Sequence, residues 1–348
     1  MSGATLTAPY WDEFWNSQNR VLLAPMEGVV DAVMRDMITK IGGVDLCVTE
    51  FIRVTDRLLP LSDFKKYAPE LFSSSKTPAG TPVLIQFLGG QPGPMAENAA
   101  FAASLGAPGI DLNFGCPAKT VNRHDGGAAL LRDPSRIFDV VSAVRAAVPT
   151  TIPVSAKVRL GFENKDRHLE IAKAAEAGGA KWLTVHARTR DEGYRPPAHW
   201  EYIARMREAV SIPVIANGEV WTLEDYKRCR EVSGCRHVMI GRGLMSAPDL
   251  AKQIQTGAAQ TPWSEVLVWL IDFGLKSREY RHDHYAVCRV KQWLKSLAKT
   301  YSGVAELFER LKTQESLDPM LAILRESSTH AVTEIADGSH QPAAALAL

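Results

Sequence analysis

Residues 112–121 read LNFGCPAKTV, which sets a single thiol, Cys116, on a Gly-Cys-Pro corner three residues after Asn113. Gly115 permits a sharp backbone turn and Pro117 fixes its own φ, so the corner can aim a side chain. Taken alone, the tripeptide reads as well as a tight turn holding a small buried hydrophobe, the ordinary fate of a free cysteine. Other residues able to do chemistry stand at the ends of short apolar runs: Pro25-Met26, Glu50, Gln86, Lys157 with Arg159, His186, Asn217-Gly218 and Gly241-Arg242-Gly243. An amide, a thiol, an ammonium and an imidazole can together grip a polar ring, move a proton and hold an anion. Each also has a structural reading: Gln86 as a surface amide, Lys157 snorkelling to water, His186 as a satisfied core histidine. Their meaning depends on whether the fold gathers them.

The elements that must position them alternate. Eight β-type runs recur: VLLAPM (21–26), DLCVTE (45–50), PVLIQFLG (82–89), GIDLNFG (109–115), VSAKVRL (154–160), WLTVHAR (182–188), PVIANGE (213–219) and HVMIGRG (237–243). Helix-type segments such as DPSRIFDVVSAVRAAV separate most of them, several starting after Asp, Thr or Pro and ending at Gly. Eight such units over roughly 230 residues predict a closed (β/α)8 TIM barrel with a parallel sheet. A doubly wound open sheet is the alternative, but APMEGVV supplies no GxGxxG after the first strand. The expected layout is an extension over 1–20, a barrel over 21–258 with an insertion at 51–81, an all-helical C-terminal domain over 259–325 and a loose tail over 326–348. Formal net charge is +1, so any polyanion surface must be a local patch. Five cysteines with no CxxC pair and no Cys/His ligand spacing argue against a disulfide framework or a metal site. No apolar run is long enough to span a membrane and the N-terminus lacks a signal-peptide core, so a cytoplasmic protein, monomeric by default, is expected.

In a TIM barrel the active site lies at the C-terminal ends of the strands. The chemistry-bearing residues occupy those ends, so the barrel converges them on one polar mouth. Asn217-Gly218 and Gly241-Arg242-Gly243 end the seventh and eighth strands, where barrels commonly bind phosphate through backbone N–H groups. The implied ligand has a phosphate there and a polar ring over the barrel centre. Flavin mononucleotide (FMN) fits, with Gln86 and Lys157 on the ring edge, His186 near ring or phosphate, and the Ala24-Pro25-Met26 backbone on the ring face. A phosphorylated sugar is the competitor.

The motifs APMEGV, TEF, NFGCP with KTV and GGAALL, KVRLG, VHARTRDEGY, NGE and MIGRG run from about residue 20 to 312. In them the sequence resembles the tRNA-dihydrouridine synthases, most closely their bacterial subfamily C. The resemblance implies FMN in the barrel, NADPH as reductant, a helical domain that grips tRNA, and uridine 16 of the D-loop as target. It adds Glu27 and Glu219 to the cofactor residues, and Arg53, Tyr194 and Lys312 to the RNA surface. It also gives Cys116 a task. Hydride delivered to uracil C6 leaves enolate character across C5 and O4, and a protonated thiol beside the ring can supply C5 with its proton. Asn113 can orient the base, and the uridine must leave its loop to arrive. Residues 1–20 fall outside the match.

Independently of the resemblance, residues 276–299 carry seven Lys/Arg and two acids. On a helix from Ala286 to Tyr301, Val287, Val290, Trp293, Leu294, Leu297 and Tyr301 cover one arc. Arg289, Lys291, Gln292, Lys295, Ser296 and Lys299 cover the other, without an acid. Solvated faces usually mix signs, so the stripe points to phosphate contact. Three functions remain: a tRNA-uridine reductase, a small-molecule flavin reductase of the dihydroorotate or enoate type, and a non-redox phosphate-binding barrel.

Overall fold

The computed structural model describes residues 8–336 and divides into two compact units at Ala258/Ala259. The outer ends of the expected extension and tail, 1–7 and 337–348, lie outside the described residues. All eight expected strands form, with a two-residue strand added at the rim: β1 (Val21–Leu23), β2 (Leu46–Val48), the added β3 (Ile52–Arg53), β4 (Val83–Leu88), β5 (Ile110–Asn113), β6 (Val154–Arg159), β7 (Leu183–His186), β8 (Val214–Asn217) and β9 (His237–Ile240). The short β3 pairs with β4. Every ladder among these strands is parallel, and the sheet closes because β1 pairs with both β2 and β9 while β2 also pairs with β4. The barrel strands are buried on both faces, as a sheet lined inside by side chains and outside by helices must be.

Cap chemistry sets where the outer helices begin. Asp31 accepts from the Met34 N–H at 2.9 Å, and Thr222 and Asp225 form a reciprocal capping box. The insertion at 51–81 is structured, with a helix at Leu61–Tyr67 and a single 3-10 turn at Pro69–Phe72. Its Glu70 accepts a two-pronged bond from the fully buried Arg35 of helix Ala32–Ile41, at 2.8 Å on each oxygen.

The segment before the first strand, outside the family resemblance, belongs to the barrel unit. Helix Ala8–Ser17 buries Trp11, Phe14 and Trp15 in one apolar cluster with Trp182, Leu22, Leu46, Leu84, Ile215 and Met239. Trp182 and His237 stand at the N-terminal ends of their strands, so the helix closes the end of the barrel opposite the strand tips. Trp15 lies 4.8 Å from the Trp182 ring and 5.0 Å from that of His237. Arg20 fastens the junction: its guanidinium donates to the Phe14 carbonyl at 2.9 Å and to Asp45 at 2.9 Å.

The second unit is helical, with helices Trp263–Tyr280, Asp283–Leu297, Val304–Leu311 and Leu317–Ala336. Gly274 lets the first approach its neighbours closely, since a Cβ there would lie 3.1 Å from Val290 and 3.2 Å from Leu317. Phe273 and Trp293 meet edge to face at 4.9 Å. The last helix continues to Ala336, so the loose tail expected from residue 326 is helical over its first stretch.

Candidate active site

The tips of β1, β5, β6, β7, β8 and β9 enclose a cavity of about 490 Å³, within the range of small-ligand sites. Its apolar lining is Ala24, Pro25, Met26, Val29, Phe51 and Ile240. Its polar lining includes Asn113, Cys116, Lys157, Arg159, His186, Asn217 and Arg242. Glu27, Tyr194, Gly218, Glu219 and Gly241 complete it, so the barrel gathers nearly every cofactor residue named from the sequence.

The thiol stands on a held corner. Asn113 Oδ1 accepts from the backbone N–H groups of Gly115 at 2.9 Å and Cys116 at 3.0 Å. Arg159 Nε donates to the Gly115 carbonyl at 2.7 Å, so the peptide preceding Cys116 is gripped at its N–H and its C=O. Arg159 also donates to the carbonyls of Thr189 and Gly193, next to Tyr194. Burial pushes the Cys116 thiol up, and the Glu27 carboxylate adds to it; the Ala118 N–H and the Arg159 and Arg53 cations act against them. The net effect keeps the sulfur protonated at neutral pH, the state a proton donor requires.

Much of the polar lining is cationic. Lys157 Nζ donates to Asn217 Oδ1 at 3.1 Å, and burial, then the neighbouring Arg159, push its pKa down to about 8. His186 is held well below its ordinary value, first by burial and then by Arg159, Lys157, Arg188 and Arg242, so its imidazole is neutral. Glu219 is the counter-charge here. It pairs with the fully buried Arg188, accepts from the Trp221 indole at 2.9 Å, and lies 3.8 Å from the Arg242 guanidinium. The strand ends approach closely because they are glycine: a Cβ on Gly218 would lie 3.0 Å from the His186 ring, and one on Gly243 2.1 Å from the Val220 carbonyl oxygen. A glycine-lined cradle ringed by cations fits an anionic group, and the apolar lining beside it fits a flat ring.

Two residues sit differently from the sequence reading. Gln86 is fully buried and does not line the cavity. Its Oε1 accepts from Asn113 Nδ2 at 2.8 Å and its Nε2 donates to Asp111 at 2.7 Å. Asn113 reaches the cavity wall, but both ends of its amide bond within the chain, so it shapes the corner instead of presenting a free amide to a base. Sequence reasoning missed Asp111 and Ser155, although Asp111 lies two residues before Asn113 and therefore on the same face of its strand. It also missed Phe51 and Trp221 on the wall, which carry no chemical signal of their own.

The residues expected to face RNA divide. Tyr194 is 54% exposed at the cavity mouth, 4.9 Å from the Arg242 guanidinium and 5.3 Å from that of Arg159. Arg53 is exposed on β3. In the helical unit the apolar arc is as expected, with one correction: Arg289 is buried, packed at 5.5 Å from the Phe273 ring and bonded to Gln292. It borders Ala286, Val290 and Trp293, and its long stem swings into the apolar side. Lys291 donates to the Gln314 carbonyl at 2.7 Å, Ser296 is half-buried, and Lys312 pairs with Glu309. Lys295 and Lys299 are the exposed cations of the stripe. Among the described residues there is no group of three metal-ligating side chains, and no helix is long and apolar enough to cross a membrane.

Comparison with known proteins is consistent with this geometry. The solved structure of a 2-naphthoyl-CoA reductase shares the fold, with a TM-score of 0.54 over 69% of this chain and 50% of that one at 10% identity. A protein from Aquipseudomonas alcaligenes named tRNA-dihydrouridine(16) synthase is 53% identical across 87% of this chain and 99% of its own length. Proteins of the same name from Shewanella oneidensis and Neisseria meningitidis serogroup B are 48% and 47% identical, each over 89% of this chain and over 99% and 95% of their own lengths. The family model for dihydrouridine synthase (Dus) matches residues 22–324, which span the barrel and most of the described helical unit, and the chain belongs to that family.

Proposed function

We propose that the protein reduces a uridine of tRNA, at position 16 of the D-loop, to 5,6-dihydrouridine, with FMN held in the barrel cavity and NADPH as reductant. The observation that carries this reading is Cys116: a thiol kept protonated by burial, on a corner gripped from both sides, in the same cavity as a cationic cradle. Bound FMN would supply the hydride for uracil C6. The chain's own residues do the rest. Gly218, Gly241 and Arg242 would hold the phosphate, Lys157 and the neutral His186 the polar atoms between phosphate and ring, and Pro25 and Met26 the ring face. Glu219, tied to Arg188 and Trp221, restrains Arg242 beside the cradle. Cys116 delivers its proton to C5, and Tyr194 offers an exposed ring at the mouth for a base or ribose to stack upon. Arg53 and the tip of Tyr194 on the barrel, with Lys291, Lys295, Ser296, Lys299 and Lys312 on the helical unit, would meet the RNA backbone. A cytoplasmic location follows from that substrate.

Purified protein should be yellow, and with NADPH and unmodified tRNA it should form dihydrouridine at position 16. A flavin-free protein that binds no FMN on titration would overturn the cofactor assignment. Rapid turnover of a free pyrimidine or enone, with none of tRNA, would turn the reading to a small-molecule reductase. Dihydrouridine at another position would correct the target alone.

A further inference from the structure

Behind the cysteine corner a line of hydrogen bonds runs into the barrel interior. Gln86, Asp111 and Ser155 are register partners on β4, β5 and β6, so their side chains lie at one level inside the barrel. Asn113 lies two residues further along β5, on the same face and one level nearer the mouth. Ser155 Oγ donates to Asp111 Oδ1 at 2.6 Å and Gln86 Nε2 to Asp111 Oδ2 at 2.7 Å. Asn113 Nδ2 donates to Gln86 Oε1 at 2.8 Å, and the N–H groups of Gly115 and Cys116 donate to Asn113 Oδ1 at 2.9 and 3.0 Å. Every donor in the line points toward Asp111.

The two ends of this line cannot be reversed. A backbone N–H only donates, and an ionised carboxylate only accepts. The two amides between them can turn over by 180°, and each reversed orientation would set donor against donor. With an acceptor at the base, Gln86 must present Nε2 inward and Oε1 outward. Asn113 must then present Nδ2 to Gln86 and Oδ1 to the corner. All four side chains are buried, Gln86 and Ser155 fully and Asp111 nearly so, so an unmatched donor would find little water to replace its partner.

We propose that Asp111 is a positioning residue for uridine reduction: by fixing the donor-to-acceptor direction of the Gln86–Asn113 line, it holds the peptide before Cys116 and hence the direction of the thiol. The proposal rests on the reading of Cys116 as proton donor. Burial pushes the Asp111 carboxyl up while the bonds from Ser155 and Gln86 act against it, and those bonds are the ones the ionised form requires.

The test is a set of single-turnover measurements, in which flavin-reduced protein is mixed with tRNA and dihydrouridine formation is timed in water and in heavy water. Asp111→Leu fills the same space without an acceptor. It should slow the reaction about 10- to 100-fold, the scale of a displaced catalytic group, and enlarge the solvent isotope effect, with flavin content and tRNA affinity near wild type. Asp111→Asn can turn its carbonyl to Gln86 and its amide to the Ser155 hydroxyl, so it should keep the rate within about threefold. In a Cys116→Ala background the Asp111→Leu change should cost nothing further, because the group it positions is gone. Should the leucine variant not fold, Asp111→Ala serves in the same comparison. Wild-type rate and isotope effect in the leucine or alanine variant would overturn the proposal. So would an asparagine variant as slow as the leucine one, or an undiminished loss in the Cys116→Ala background. If Cys116→Ala alone kept the full rate, it would be the proton-donor reading that failed, and the two failures are thereby distinct.

Discussion

Lys157 is a cation held in a partly desolvated cavity, and that should register as a measurable weakness of the ligand-free protein. Burial and the adjacent Arg159 bring its pKa from 10.5 to about 8. Between these values the unfolded chain binds a proton at this site that the folded chain has released. Wild-type stability should therefore rise with pH across the window, and below about 8 the full penalty of the charge is present. The gap corresponds to about 3 kcal/mol. The side chain keeps some contact with the solvent of the cavity, so about 1–3 kcal/mol is the expected range. Lys157→Met keeps the length of the side chain and deletes the charge, and Asn217 Oδ1, which loses a donor, faces the cavity where water can reach it. Urea unfolding of the flavin-free wild type and variant at a series of pH values from about 7 to 10.5 isolates the effect, since all other titrations cancel in the difference. The wild type should gain on the variant by about 1–3 kcal/mol over that range. A difference that stays flat with pH, or that falls, would refute the reasoning. An anionic ligand at the cradle should offset the penalty, so its binding should weaken as pH rises past the same window.

Trp15→Ala, which removes a ring packed between Trp182 and His237, should destabilise the protein by about 3–5 kcal/mol in calorimetry or urea unfolding without lowering flavin affinity, because that helix closes the end of the barrel away from the cavity. A variant as stable as wild type would show that the helix contributes nothing to the barrel. Lys295→Ala combined with Lys299→Ala should weaken tRNA binding and make the slope of log affinity against log salt shallower by about two, one for each phosphate no longer neutralised. Equal slopes would make the stripe a solvated face. Arg289 is left out of that pair because its burial makes it a packing residue, whose removal would confuse folding with binding.

The barrel was legible because its signal is repeated: eight apolar runs, each with a polar or glycine end, leave one closed architecture that brings those ends together. The cavity residues were legible for the same reason, since a strand end fixes position without any knowledge of side-chain angles. What failed to show depended on meetings between distant residues. Helix Ala8–Ser17 lies in the stretch outside the resemblance, and its role shows only once Trp182 and His237 are brought beneath it. Arg289 sits at the edge of the apolar arc, and only the Phe273 ring of the neighbouring helix decides which way its stem turns. Gln86 and Asn113 were placed correctly on their strands, but the direction of an amide is set by its neighbours. Those neighbours are Asp111 on β5 and the N–H groups of the corner.

The central claim is that Cys116 gives uridine its proton while taking no part in reducing the flavin. Two half-reactions of the Cys116→Ala variant test it most directly: flavin reduction by NADPH, followed at the flavin absorbance, and dihydrouridine formation after mixing the reduced protein with tRNA. The first rate should be unchanged and the second lower by about 10²–10⁴-fold, the usual contribution of a positioned general acid. Dihydrouridine formed at the wild-type rate by that variant would contradict the claim.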